Sequence, residues 1–171
     1  NFNLNKYAVF SPGATSDTKR WPEEKFDKLI DRFHDKYPEY KIVMSGANGD
    51  RNLIERLRKN RDYCYPLINF NLRKMSLVFK NSEVVVANDG CGIDISWVSG
   101  GKLVALAGPV DRRLHEPQKN TIVLHHKLKC YPCDWSKPCP RPWGVWCMDL
   151  ITVDEVLEAV DKQIIGTSKT G

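Results

Sequence analysis

The chain has 171 residues, room for one domain, or one domain with a small appendage, but not for two full lobes. At 42% hydrophobic, 10% aromatic and 27% charged residues it carries enough apolar material for a core, which excludes the disordered and collagen-like classes, and its formal net charge is +5. No apolar run approaches the ~18 consecutive positions of a membrane span, and Asn1 to Lys6 lack the basic, apolar and small-residue zones of a secretory leader; the expectation is a cytoplasmic protein, trimmed upstream because the chain begins without methionine.

In chain order, Tyr7 to Ser11 reads as a strand running into the turn-rich Pro12-Gly13-Ala14-Thr15. Pro22 suits a first helical position, Glu23-Glu24 suit the positive end of a helix, and Phe26, Leu29, Ile30 and Phe33 mark one apolar face. Lys41 to Met44 reads as a buried strand, Ser45 to Gly49 as a flexible loop, and Leu53, Ile54 and Leu57 as the face of a second helix. Tyr63 to Phe70 has no clear period. Leu72, Met75, Leu77, Val78 and Phe79 fit a short helix, and Glu83 to Ala87 has the length and β-branched content of a central parallel strand. Asn88 to Gly92 follows as a loop, with a short helix through Ile95, Trp97 and Val98, a strand at Leu103 to Ala107 and another at Thr121 to Leu124. Thr152 and Glu155 have the spacing of a reciprocal cap on a last helix carrying Val156, Leu157, Val160 and Ile164.

Short strands alternating with helices predict right-handed crossovers, hence an α/β fold: a Rossmann-like, mostly parallel sheet with helices on both faces. The reading is a single domain over residues 1–171, with a Cys/Pro/Trp-rich loop at 127–148 and a C-terminal helix at about 152–165. Ligands in such sheets bind at the carboxyl ends of the strands, so the loops at Ser11 to Lys19, Ser45 to Gly49 and Asn88 to Gly92 are expected to share one rim. Asn88-Asp89-Gly90-Cys91-Gly92 has the small residues and following helix start of an anion seat, and equally those of a structural turn. Thr15, Ser16, Thr18, Lys19 and Arg20 add hydroxyls and fixed positive charge for a diphosphate, although a single lysine is more often a solvated surface charge. Between Val110 and Cys147, seven basic residues stand against three acidic ones, which favours anionic partners or is simply a solvated surface.

Ser11-Pro12-Gly13-Ala14-Thr15 followed by Lys19-Arg20-Trp21-Pro22, then Val84-Val85-Val86-Ala87-Asn88-Asp89, then Val104-Ala105-Leu106-Ala107-Gly108-Pro109, resembles in order and spacing the donor-binding half of the lipopolysaccharide heptosyltransferase family of glycosyltransferases. The likeness runs from about Tyr7 to Ile165. It implies one lobe of a GT-B fold, with the nucleotide sugar held here, the acceptor and the general base on an amino-terminal lobe, and metal-independent chemistry. By position, the resemblance puts Gly13, Thr15 and Lys19 at the diphosphate, with Lys19 the chief electrostatic catalyst, Asp89, Gly90, Cys91 and Gly92 at the phosphates and sugar, and Ser45, Gly46 and Ala47 near the nucleoside. The family pattern has a histidine where this chain has Asp94, a carboxylate that either reaches a sugar hydroxyl or serves the helix N-terminus. The implied partners are an ADP-heptose-like donor and a glycan or lipid-linked acceptor, the latter with peripheral contact at the inner face of a membrane.

Cys130, Cys133, Cys139 and Cys147 fall within eighteen residues, among four prolines and three tryptophans. A C-x2-C pair followed by two further cysteines fits a structural tetrahedral zinc site, while disulfide pairs and free thiols stay open; four thiolates filling the coordination sphere argue against a catalytic zinc. Cys64 reads as a core residue. Two other functional classes remain beside the transferase lobe: a zinc-stabilised basic nucleic-acid module using the Val110 to Cys147 stretch, and a non-catalytic descendant of the fold, favoured by Asp94.

Overall fold

The structure, a computed structural model, describes residues 6–109, 119–134, 136–139 and 146–166. Six strands form one sheet: β1 (Tyr7–Ser11), β2 (Lys41–Gly46), β3 (Cys64–Ile68), β4 (Val84–Asn88), β5 (Leu103–Leu106) and β6 (Thr121–Leu124). All five pairings are parallel and the order is β3-β2-β1-β4-β5-β6, so the sheet reverses direction of growth beside β1 and β4. This is the strand order of a Rossmann sheet, whose ligands lie at that switch point.

Helices α1 (Glu23–Lys36), α2 (Arg51–Arg58) and α6 (Val153–Ile165) cover one face, packing on Phe10, Ile42, Met44, Val86 and Leu106. Helices α3 (Leu72–Lys80) and α4 (Cys91–Ser99) cover the other, packing on Val9, Val43, Val85 and Ala105. Alternate residues of each strand feed the two faces, so the central strands are apolar throughout, and each fully buried large side chain contributes about 1.5–3 kcal/mol. A four-residue helix, α5 (Trp146–Asp149), precedes α6. No described helix is long and apolar enough to cross a membrane.

Several boundaries differ from the expectation. Pro22 occupies the cap position rather than the first helical turn. Ser45 and Gly46 belong to β2, not to a flexible loop, because they continue the ladder onto Leu67 and Ile68 of β3; the chain then makes a 3-10 turn at Asn48–Asp50. The unassigned Tyr63 to Phe70 stretch contains β3, an edge strand that tolerates Pro66 because its outer side needs no donor. The cap of α6 is as expected: Thr152 N donates to Glu155 Oε2 at 2.7 Å and Glu155 N to Thr152 Oγ1 at 3.2 Å.

Candidate functional site

β1, β2 and β4 run parallel, so Ser11, Ser45 and Asn88 arrive at the same rim of the sheet. The loop after β1 is shaped from within: Arg20 donates to the Ala14 carbonyl at 2.8 Å and to Asp17 Oδ1 at 2.7 Å, and Ser16 caps a 3-10 turn at Asp17–Lys19. Asn88, fully buried, fastens that loop to β4. Its Nδ2 donates to the Pro12 carbonyl at 2.7 Å, and its Oδ1 accepts from Trp21 N at 3.1 Å. A Cβ built on Gly92 would lie 2.9 Å from Ser11 Cβ, and one on Gly90 3.8 Å from Ala14 Cα, so the loops after β1 and β4 pack directly on each other. The hydroxyls of Ser11 and Ser45 share a hydrogen bond that joins β1 to β2.

Within this rim Lys19 Nζ lies 3.4 Å from Asp89 Oδ1, with the two side chains only 12% and 3% exposed. Lys19 is thus not a solvated surface lysine. Burying such a pair costs desolvation comparable to what it regains, so its value lies less in stability than in fixing where the ammonium points. Beside it, α4 begins at Cys91 after Gly90 with no side-chain cap; Ile93 N donates to the Gly90 carbonyl at 2.9 Å, and the Cys91 and Gly92 amides and the positive end of the dipole lie at the rim. Fixed ammonium and helix N-terminus together form a seat for a dianionic group.

Asp50 is a site residue that the sequence did not single out. Its Oδ2 accepts from Ala47 N at 2.9 Å, and its carboxylate fills the space over Gly13, where a Cβ would come within 2.3 Å of it. That close approach is why only glycine fits at position 13. Asp94 stands exposed in the first turn of α4, and Cys91 is exposed at its start; partial burial of the thiol, then the Asp50 and Asp94 carboxylates, push the Cys91 thiol up. The rim therefore holds the Lys19 ammonium against Asp89 and carries the Asp50 and Asp94 carboxylates besides, an arrangement that can grip phosphate at the ammonium and accept hydroxyl hydrogens at the carboxylates.

The structure brings Gly13, Lys19, Gly46, Ala47, Asp89, Gly90, Cys91, Gly92 and Asp94 to the rim, with Thr15 exposed beside them. Ser45 is buried, its hydroxyl engaged by Ser11, so it braces the rim instead of facing a ligand. Asn88 was visible only as part of a turn; its role needs partners 67 and 76 residues away. A cleft of about 370 Å³ that includes Asp17, Arg20 and Asp50 flanks the rim on the α1 and α2 side, and a shallower one of about 490 Å³ with Arg73 and Asp94 flanks it on the α3 and α4 side.

Cys130, Cys133, Cys139 and Cys147 line another cavity, of about 210 Å³, whose wall also includes Thr18 and Pro109. All six thiols are free, so no disulfide pairs are formed. Burial, then Cys133, Cys139 and Cys130, push the Cys147 thiol to about 11. As the side chains stand, no three described His, Cys, Asp or Glu groups are gathered to hold a metal ion. Cys64 is buried in the core, and burial pushes its thiol to about 12. Much of the basic stretch, including Arg112, Arg113, Arg141, Trp135 and Trp143, lies outside the described residues.

The family model described as glycosyltransferase family 9 (heptosyltransferase) matches residues 1–141. Among solved structures, the fold is similar to Escherichia coli ADP-heptose lipopolysaccharide heptosyltransferase II, with a TM-score of 0.78 and 20% identity over 97% of this chain and 48% of that one. E. coli heptosyltransferase WaaC with ADP-2-deoxy-2-fluoro heptose gives 0.72 and 21% over 95% and 44%. The iron-containing dodecameric glycosyltransferase TibC of enterotoxigenic E. coli gives 0.70 and 13% over 97% and 48%. No curated protein matches the sequence. The chain spans about half the length of these structural relatives.

Proposed function

The chain belongs to glycosyltransferase family 9, the heptosyltransferases, and from that membership we propose that it is the donor-binding lobe of a GT-B enzyme that takes an ADP-heptose-like nucleotide sugar and transfers the sugar to a glycan or lipid-linked acceptor. The observation that carries this reading is the nearly buried Lys19–Asp89 pair set against the uncapped start of α4. The diphosphate sits between Lys19 Nζ and the first amides of α4, with Gly13 and Thr15 alongside. The nucleoside lies toward Gly46, Ala47 and Asp50, whose carboxylate accepts hydroxyl hydrogens, and the sugar lies toward Asp89 and Asp94.

Cleavage of the sugar–phosphate bond puts negative charge on the departing diphosphate. A preoriented ammonium and fixed amides stabilise that charge in place without reorganising, so this rim needs no ion at the pyrophosphate. Asp89 is a positioning residue that holds Lys19 where the charge grows. The acceptor hydroxyl loses its proton to a base on a second lobe, and a lipid-linked acceptor would bring this face to a membrane surface.

Calorimetry with ADP-, GDP- and UDP-sugars tests the reading. Binding of at least one is expected, with Lys19→Ala weakening it about 10- to 100-fold, the worth of one charge-assisted contact. A folded chain that binds none of the three, or whose binding is indifferent to Lys19→Ala, overturns it.

A further inference from the structure

The outer surface of α3 and α4 has no part in that reading, and its side chains are not those of an ordinary solvated face. Met75 and Phe79 turn α3 toward the sheet. At about 100° per residue, Leu77 between them falls on the opposite side of the helix, flanked by Arg73, Lys74 and Lys80. Leu72 and Leu77 are 68% and 57% exposed, and Val98 on the neighbouring α4 is 88% exposed. The cleft of about 490 Å³ beside the rim has Leu72, Arg73 and Ser76 of α3 in one wall and Asp94, Ile95 and Val98 of α4 in the other.

Charge on this face is one-sided. Among the described helices α3 alone carries no acidic residue, and it carries three cations. On α1, α2 and α6, by contrast, Arg32 meets Asp154, Lys36 meets Asp161, Arg56 meets Glu23 and Lys162 meets Glu158. No described carboxylate forms an ion pair with Arg73, Lys74 or Lys80. Exposed leucine thus stands among uncompensated cations.

We propose that this face docks on an anionic lipid bilayer, with Leu72, Leu77 and Val98 entering the boundary between headgroups and acyl chains while Arg73, Lys74 and Lys80 meet the lipid phosphates. Each cation near an anionic bilayer surface raises affinity about fivefold, and burying one leucine or valine side chain raises it about tenfold or more. Neither signal anchors a protein alone; together they give a reversible contact. Charge argues against a second copy, because an isologous contact would set the cations of both copies against each other with only Asp94 to offset them. Side-chain type argues against nucleic acid, because Leu72, Leu77 and Val98 offer no ring for a base to stack on. The surface stands without the donor reading, yet it borders the rim at Asp94, so a docked chain holds the rim beside the plane of the lipid.

The test sediments the whole chain with extruded vesicles at about 0.1 M salt. Binding is expected to phosphatidylcholine vesicles containing about one-third phosphatidylglycerol, and to be at least about tenfold weaker to phosphatidylcholine alone. Leu77→Ser and Val98→Ser each weaken binding about tenfold, and Lys74→Gln combined with Lys80→Gln weakens it about 25-fold. All four positions are exposed, so urea melts of these variants are expected to match wild type. Inorganic phosphate added at constant ionic strength leaves the chain on the vesicles, since it offers nothing to the apolar side chains. A folded chain that ignores the anionic vesicles, or binds both compositions alike, overturns the proposal, as does binding indifferent to Leu77→Ser and Val98→Ser. Release by inorganic phosphate overturns it in favour of a simple anion site. A dimer that Leu77→Ser dissociates, without vesicle binding, overturns it in favour of a second copy, and tighter binding to single-stranded DNA than to the vesicles in favour of nucleic acid. None of these readouts involves a nucleotide sugar, so the donor reading stands or falls separately.

Discussion

Asn88 shows how much of the rim hangs on one side chain. It is 1% exposed and satisfies two backbone groups of the loop after β1 with a donor at one end and an acceptor at the other. Asn88→Ala leaves the Pro12 carbonyl and Trp21 N–H without this partner, at about 1–3 kcal/mol for each group. The expected result in urea melts is a loss of about 2–4 kcal/mol together with weaker nucleotide binding, because the turn carrying Lys19 is no longer tied to β4. Asn88→Asp keeps the acceptor for Trp21 N but loses the donor and adds a buried charge beside Asp89, so it is expected to be no better than alanine. If both variants keep wild-type stability, Asn88 is not the fastener. The sequence displays Asn88-Asp89 as a pair in a turn, and Lys19 as a base in a loop. It does not display the 3.4 Å contact that makes Lys19 and Asp89 one device, nor Asp50 over Gly13, because those depend on which strands are neighbours. Asp94, read by resemblance as a departure from a histidine, is exposed in the first turn of α4, a position open to sugar hydroxyls.

At the scale of elements, the apolar runs of β1, β2, β4 and β5 and the 3.6-residue periods of α1 and α6 are legible because burial on both faces of the sheet, or on one stripe of a helix, imposes them. β3 is not legible, since an edge strand with Pro66 and two tyrosines nearby needs no such pattern. What holds its approach is electrostatic. Arg61, before β3, donates to Asp27 at 2.8 Å and to both oxygens of Asp31 at 2.8 and 2.7 Å, while Tyr63 OH donates to Asp31 at 3.2 Å. The hydrogen bond from Arg61 is the chief reason the Asp31 carboxyl is held below the usual carboxylate range. A depressed folded pKa gives stability that is complete above the unfolded value of about 3.9 and is lost as pH falls through the folded value. Arg61 is 12% exposed but Asp31 is 53% exposed, so solvent screening trims the gain. Arg61→Ala is expected to cost about 1–2 kcal/mol at pH 7, with the gap to wild type narrowing below about pH 4. Urea melts from pH 7 to pH 3 check this. A gap that stays constant with pH would assign the loss to packing of the Arg61 stem.

For the whole molecule, the sheet order and the rim place every candidate donor contact along one edge, and the chain spans about half the length of its structural relatives. Binding a donor and turning it over are then separable properties. In the proposed reading the donor side supplies charge stabilisation at the diphosphate, but transfer also needs a base within hydrogen-bond reach of the acceptor hydroxyl and a surface that holds that hydroxyl against the sugar carbon. A general base contributes about 10²- to 10⁴-fold, and orienting the second reactant contributes effective molarities of about 10⁵ M or more. Asp89 is committed to Lys19, which leaves Asp50 and Asp94 as rim carboxylates with no acceptor surface opposite them among the described residues. The expected outcome is saturable nucleotide-sugar binding by the isolated chain with no acceptor-dependent release of nucleoside diphosphate. Transfer is expected only when a protein supplying the acceptor lobe is added, and only at concentrations where the two associate. A coupled assay for nucleoside diphosphate, run on the same sample whose donor binding has been measured, decides the matter. Acceptor-dependent release by the isolated chain would mean that Asp50 or Asp94 serves as the base and that the site is complete on one lobe.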